Sequence, residues 1–129
     1  MVNVLLADDN TTFRHALKDI LEGQDDWRVC AEAQDGLEAV QSFRQHVPDV
    51  VILDFQMPRM NGLEAAREMR RQCPVVPILM VTMFLSPQLI QEAMKVGVKG
   101  ACAKTDPSCV VEAVEALLQD KSYFQNQLQ

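Results

Sequence analysis

The sequence holds no apolar run long enough to cross a bilayer. Its longest stretches, such as Val50-Val51-Ile52-Leu53, fall far short of the roughly 20 residues a spanning helix needs. It lacks the basic start and apolar run of a secretory signal, so membrane partners are not expected and the chain reads as cytoplasmic. Cysteine pairing is also missing. Cys30, Cys73, Cys102 and Cys109 form no CxxC and no zinc-type spacing with His15 or His46, and read as reduced, mostly buried thiols. A basic surplus is absent too: 12 Lys and Arg face 18 Asp and Glu, for a formal charge of -6. Nucleic acid needs a basic face for its phosphates, so this segment is not expected to bind it unaided. Neither GxGxxG nor GxxxxGKS occurs, which removes support for dinucleotide or P-loop nucleotide binding.

What is present is an alternation of two hydrophobic periods, in a chain of 129 residues that suits one domain with a single core. Val2 to Ala7, Val29 to Ala33, Val50 to Leu53, Pro77 to Val81 and Gly100 to Ala103 are short, near-continuous apolar runs of β type. Between them lie helical patterns. The first is capped by Thr11 or Thr12 and carries Phe13, Ala16, Leu17, Ile20 and Leu21. The second opens at Gly36 and carries Leu37, Val40 and Phe43; the third carries Leu63, Ala66, Arg67 and Met69. The fourth starts at Ser86-Pro87 and stops at Gly97, and the fifth starts at Asp106-Pro107 and carries Val110, Val111, Val114, Leu117 and Leu118. Strands alternating with helices imply a parallel sheet covered on both faces. With right-handed crossovers, a flavodoxin-like (βα)5 sandwich with strand order 2-1-3-4-5 leads the alternatives.

In such sheets ligands bind beyond the carboxyl ends of the strands. Asp8-Asp9 ends the first strand, Asp54 the third, Thr82 the fourth, and Lys104 lies just past the fifth; Asp35-Gly36 after the second reads as a plain turn. The first and third strands are neighbours in the expected order, so their three carboxylates should share one crevice. Carboxylates that close repel one another, and a hard divalent cation relieves the repulsion. Mg²⁺ keeps part of its hydration shell and accepts a phosphate oxygen readily. A carboxylate oxygen can also act as nucleophile and form an aspartyl phosphate. Lys104 would neutralise charge and the Thr82 hydroxyl would donate to a phosphate oxygen.

The run Asp54-Phe55-Gln56-Met57-Pro58-Arg59-Met60-Asn61-Gly62 resembles the loop after the third strand of response-regulator receiver domains of two-component signalling. Leu5-Leu6-Ala7-Asp8-Asp9, Val81-Thr82 and Ala103-Lys104 resemble that family's other sites. The resemblance covers essentially the whole chain, with residues 1–120 as the receiver and 121–129 as the start of a linker or tail. It implies that Asp54 accepts phosphate from a sensor histidine kinase or a small phosphodonor. It implies Mg²⁺ held by Asp9, Asp54 and the Gln56 backbone carbonyl, with Asp8 acting mainly through water, and a phosphoryl group bound by Thr82 and Lys104. Gln56, Met57, Phe84 and Ala101 would flank the pocket. Gly97-Val98-Lys99-Gly100, Lys104-Thr105-Asp106-Pro107 and the last helix resemble receivers of the NarL/FixJ (LuxR) type, transcription factors that usually continue into a DNA-binding domain absent from this chain. A stand-alone regulator acting by protein contact, and a pseudo-receiver that is never phosphorylated, are the alternatives. The resemblance also implies partner surfaces on the fourth helix, fifth strand and fifth helix, or on the first and fifth helices, for a homodimer. Gln88, Gln91, Lys95, Glu112 and Glu115 are candidate contacts.

Two departures bear on the switch. Many receivers carry an aromatic where this chain has Ala101, so the Met83-Phe84-Leu85 loop is expected to carry the conformational change. Thr105 stands where proline is common after the lysine; a cis bond before threonine would cost about 3–4 kcal/mol, so trans is expected. A haloacid-dehalogenase-type phosphatase would need a second acid two residues after its nucleophile, and Thr11 is not one. A flavodoxin-type cofactor module would need a Ser/Thr/Gly-rich loop where Asp8-Asp9-Asn10 would repel phosphate.

Overall fold

The computed structural model describes residues 1–125. Six strands form one parallel sheet in the order β2-β1-β3-β4-β5-β6. The strands are β1 (Val2–Ala7), β2 (Trp27–Ala33), β3 (Val50–Leu53), β4 (Ile78–Thr82), β5 (Gly100–Ala103) and β6 (Tyr123–Phe124). The helices are α1 (Thr11–Glu22), α2 (Gly36–His46), α3 (Gly62–Gln72), α4 (Pro87–Lys95) and α5 (Ser108–Leu118). This is the flavodoxin-like (βα)5 arrangement expected from the pattern, with one added edge strand. Tyr123–Phe124, in the stretch read as a linker, pairs with Gly100 and Ala101 of β5. Residues 126–129 lie outside the described residues.

The pleat sorts the apolar runs into two cores. Leu5, Val51, Leu53, Ile78, Met80 and Ala101 face one side with Val40, Phe43, Ala66, Met69 and Ala93 of α2, α3 and α4. Val4, Leu6, Val50, Ile52, Leu79, Val81 and Cys102 face the other with Leu17, Leu21, Val110, Val114 and Leu117 of α1 and α5. Full burial of each Leu, Ile or Val contributes roughly 1.5–3 kcal/mol. Central strands buried on both faces have no polar side, which is why their sequences show no alternation.

Several local expectations are corrected. The cap of α1 is Asn10, whose side chain accepts from Phe13 N, not Thr11 or Thr12. The buried line of α1 is Arg14, Leu17 and Leu21, with Ala16 exposed. Asp35 is more than a turn residue: it caps α2 by accepting from Glu38 N and pairs with Arg59. Leu37 and Leu118 are exposed rather than core. Ser86 caps α4 and Pro87 follows, as expected. Asp106 does not cap α5; Pro107 holds the cap position without a side-chain bond, and the Asp106 carboxylate accepts from Ser108 Oγ at 2.7 Å. There are no cis peptide bonds among the described residues, Lys104–Thr105 included.

Candidate functional site

Register brings the acidic residues together. Ala7 pairs with Leu53 where β1 and β3 end, so Asp8 and Asp54 leave the sheet side by side. Asp54 N donates to Ala7 O and Asp8 N donates to Ala33 O, both at 3.0 Å. Thr82 pairs with Ala103 at the ends of β4 and β5, and Lys104 N donates to Thr82 O at 2.9 Å. The loop after Asp54 turns back on itself: Gly62 N donates to Phe55 O at 2.8 Å. Asn61 and Glu64 then start α3 with reciprocal side-chain to backbone bonds.

Carboxylate oxygens of Asp8, Asp9 and Asp54 lie within 4.8 Å of one another. Asp8 and Asp54 are buried and Asp9 is exposed. Lys104 Nζ bridges the two buried acids, 2.7 Å from Asp8 Oδ2 and 2.9 Å from Asp54 Oδ2. It also sits 4.6 Å from the centre of the Phe13 ring, an added cation–π contact. Burial pushes the Asp54 carboxyl above the ordinary carboxylate range; the Lys104 hydrogen bond opposes this and the Asp8 charge adds to it. Burial disfavours the Lys104 charge, but the hydrogen bonds to Asp8 and Asp54 outweigh it and raise its pKa.

A cleft of about 160 Å³ opens beside this cluster, lined by Asp9, Asn10, Asp54, Gln56, Met83, Phe84 and Lys104. Sites for drug-sized ligands run to roughly 300–1,000 Å³, so this one suits a small anion or cation rather than a nucleotide. The donor set is all oxygen, and one ammonium faces three carboxylates. The surplus negative charge and the all-oxygen donor set fit a hard divalent cation. A larger cleft of about 470 Å³ at the opposite end of the sheet includes Asp49, Arg70, Lys99 and Lys121 in its lining, and none of Asp8, Asp9, Asp54 or Lys104.

Some expected pocket residues lie elsewhere. Met57 folds into the core on the α2, α3 and α4 side of the sheet. Ala101 points into the same core, because the pleat turns it to that face. Thr82 is buried at the end of β4, outside the cleft lining, and its hydroxyl oxygen accepts from Phe84 N at 3.3 Å. Gln56 and Phe84 do line the cleft, and Phe84 and Met83 are exposed beside it. Three contacts went unread in the sequence: the Phe13 ring under Lys104, Asn10 N donating to Asp8 Oδ1 at 2.8 Å, and buried Arg14. The signal for Arg14 was available, since it precedes Leu17 by three residues and Leu21 by seven on one helix face.

A parallel three-layer fold with a carboxylate cluster and a lysine at its switch point defines the class: an acidic-pocket flavodoxin-like domain. The chain belongs to the response regulator receiver domain family, whose pattern matches residues 4–115. It is 30% identical over 124 residues to the transcriptional regulatory protein DegU of Brevibacillus brevis, covering 95% of this chain and 52% of that protein. Over 81 residues it is 44% identical to a protein-glutamate methylesterase/protein-glutamine glutaminase of Pyrococcus horikoshii, covering 63% of this chain and 22% of that protein. Among solved structures, a LuxR-family two-component response regulator from Aurantimonas sp. SI85-9A1 superimposes with a TM-score of 0.92 at 31% identity, covering 95% of this chain and 89% of that one. The likeness is thus to the NarL/LuxR type of response regulator. The chain spans about half the length of DegU. No helix among the described residues is long and apolar enough to cross a membrane.

Proposed function

We propose that this domain is the phosphoacceptor of a two-component response regulator, phosphorylated on Asp54 by a sensor histidine kinase in the cytoplasm. The observation that carries the reading is Lys104 bridging two buried carboxylates at the rim of a cleft sized for a small anion. A deprotonated Asp54 oxygen attacks phosphorus. The bond from phosphorus to the donor nitrogen or oxygen breaks, and the leaving group departs with that electron pair and takes up a proton. Asp54 becomes an acyl phosphate. Such transfer depends on in-line positioning and charge neutralisation more than on covalent assistance.

Asp9 and Asp54, with the Gln56 backbone carbonyl, would hold Mg²⁺, and Asp8 would act mainly through water. When bound, the ion supplies charge neutralisation for the phosphoryl oxygens. Lys104 exchanges its Asp54 contact for a phosphoryl oxygen, keeping Asp8 as its anchor. The Thr82 hydroxyl lies outside the cleft lining and accepts from Phe84 N, so binding phosphate through it requires Thr82 to turn toward the cleft and give up that bond to the Met83-Phe84 loop. That agrees with a switch carried by Met83-Phe84-Leu85 rather than by an aromatic at Ala101. Gln56 and Phe84 control water access and hence the phosphate lifetime. The domain has no enzymatic role beyond assisting its own phosphorylation and dephosphorylation. Output would pass to transcription through a DNA-binding domain outside these residues, in line with the name of its DegU relative. Dimerisation would use the α4-β5-α5 or α1-α5 surfaces; Gln88, Gln91, Lys95, Glu112 and Glu115 are all exposed there.

Incubation with acetyl phosphate, followed by intact-mass measurement, tests the reading. Wild type gains one phosphoryl mass with Mg²⁺ and none with chelator, and Asp54→Asn gains none. Equal labelling of Asp54→Asn would overturn the assignment.

A further inference from the structure

Arg14 is buried 5% exposed within the fold, and of the buried polar or charged side chains, Asp8, Arg14, Asp54 and Thr82, it is the cation. Its guanidinium makes two hydrogen bonds, one to backbone and one to a carboxylate. Nη1 donates to the Asp8 backbone carbonyl at 2.8 Å and Nε donates to Glu32 Oε1 at 2.9 Å. The other Glu32 oxygen accepts from Lys18 Nζ at 3.3 Å. Glu32 lies on β2, one residue before Ala33, whose carbonyl accepts from Asp8 N. The Asp8 backbone is therefore tied to β2 on both sides, directly through its N–H and through Arg14 at its carbonyl.

The Asp8 carbonyl belongs to the peptide unit that joins Asp8 to Asp9. Its orientation sets ψ of Asp8 and φ of Asp9, and so the directions in which both side chains leave the backbone. Arg14 touches no carboxylate of the cluster, yet it holds the peptide plane that aims two of the three. A lysine could not replace it: one ammonium on a flexible stem lacks the planar fork that reaches the carbonyl and Glu32 together.

We propose that Arg14 is a positioning residue for cation binding, holding the Asp8-Asp9 peptide in the orientation that gathers the carboxylates. This rests on the phosphoacceptor reading of the site. Residues that orient metal ligands without touching the metal typically change its affinity about 10–100-fold when lost.

The test compares wild type, Arg14→Lys and Glu32→Gln, with Arg67→Lys as an exposed control on α3. Mg²⁺ affinity is measured by calorimetry, the Asp9 and Asn10 amide resonances by NMR, melting in metal-free buffer, and acetyl phosphate labelling across a Mg²⁺ series. Arg14→Lys is expected to weaken Mg²⁺ about tenfold or more and to shift the Asp9 and Asn10 amides before metal is added. Its labelling should recover to within a few-fold of wild type at saturating Mg²⁺. Glu32→Gln, which keeps the shape but loses the charge that orients Arg14, should weaken Mg²⁺ by a smaller factor in the same direction; it carries the test alone if Arg14→Lys does not fold. Mg²⁺ affinity within twofold of wild type in the folded variants, with only the melting temperature lowered, would overturn the positioning role and leave the phosphoacceptor reading standing. A wild type without measurable Mg²⁺ affinity would overturn both.

Discussion

Gly62 has no side chain because there is no room for one: a Cβ there would lie 2.3 Å from the Asp54 carbonyl oxygen and 3.0 Å from the Asp54 carbonyl carbon and Phe55 Cα. All three atoms are backbone, so relief would displace the peptide that carries the phosphoacceptor. Gly62→Ala is expected to cost about 1–3 kcal/mol, the usual range for overpacking, and to slow acetyl phosphate labelling of Asp54. Urea denaturation and a labelling time course check both parts; an unchanged labelling rate would mean the loop absorbs the methyl without moving Asp54. Residues at strand ends were the legible ones. Asp8, Asp9, Asp54 and Lys104 follow apolar runs directly, and parallel register places strand ends at one edge. Met57 and Ala101 were misplaced because proximity in sequence to Asp54 and Lys104 says nothing about which face of the pleat a side chain takes.

At the scale of elements, the helix starts show how local chemistry competes. Asp35 accepts from Glu38 N at 2.8 Å and from Arg59 at 2.9 and 3.1 Å, so one carboxylate caps α2 and anchors the loop after Asp54. The Glu38 backbone hydrogen bond holds the Asp35 carboxyl below its usual range; burial opposes the effect, and the Arg59 contact adds to it. A carboxyl whose folded pKa is depressed contributes stability above its unfolded pKa and loses it as pH falls through the folded value. Asp35→Ala should cost about 0.5–2 kcal/mol at neutral pH, the common range for a lost cap. The deficit should shrink once pH drops below the folded Asp35 pKa, where wild type has protonated its own cap. Denaturant titrations at pH 7 and under strongly acidic conditions measure this; a deficit independent of pH would assign the loss to shape alone. Raised salt should reduce the Arg59 share, since Arg59 is well exposed. The choice of Asn10 over Thr11 or Thr12 as a cap was not legible, because all three can accept from a helix N–H and only the path out of β1 decides between them.

The sheet edge is settled at the scale of the whole molecule. Tyr123 N donates to Lys99 O at 3.0 Å, and Gln125 N donates to Ala101 O at 2.9 Å. The Gln125 side chain accepts from Ala103 N at 2.8 Å, one residue before Lys104. Gly100 makes the approach feasible, since a Cβ there would meet the Tyr123 carbonyl oxygen at 2.5 Å. Phe124 packs on the core that holds Ala101. A chain ending at Lys121 is expected to lose about 1–2 kcal/mol, on the order of a partly buried aromatic, with a lower melting temperature. It should also show faster hydrogen exchange at Ala103 N. Unchanged exchange there would show that β6 does not protect β5.

The alternation of strands and helices and a parallel sheet were legible in the sequence alone, because they follow from hydrophobic period; crossover handedness narrowed the strand order to a few, and in the leading one the strand ends bring three carboxylates and a lysine together. Tertiary structure alone decided the sixth strand, the buried Arg14 tie to Glu32, the division of Lys104 between Asp8 and Asp54, and the position of Thr82 outside the cleft. Those depend on partners far apart in the chain, and a polar tail or a lone arginine shows its role only when the surface it covers has been assembled.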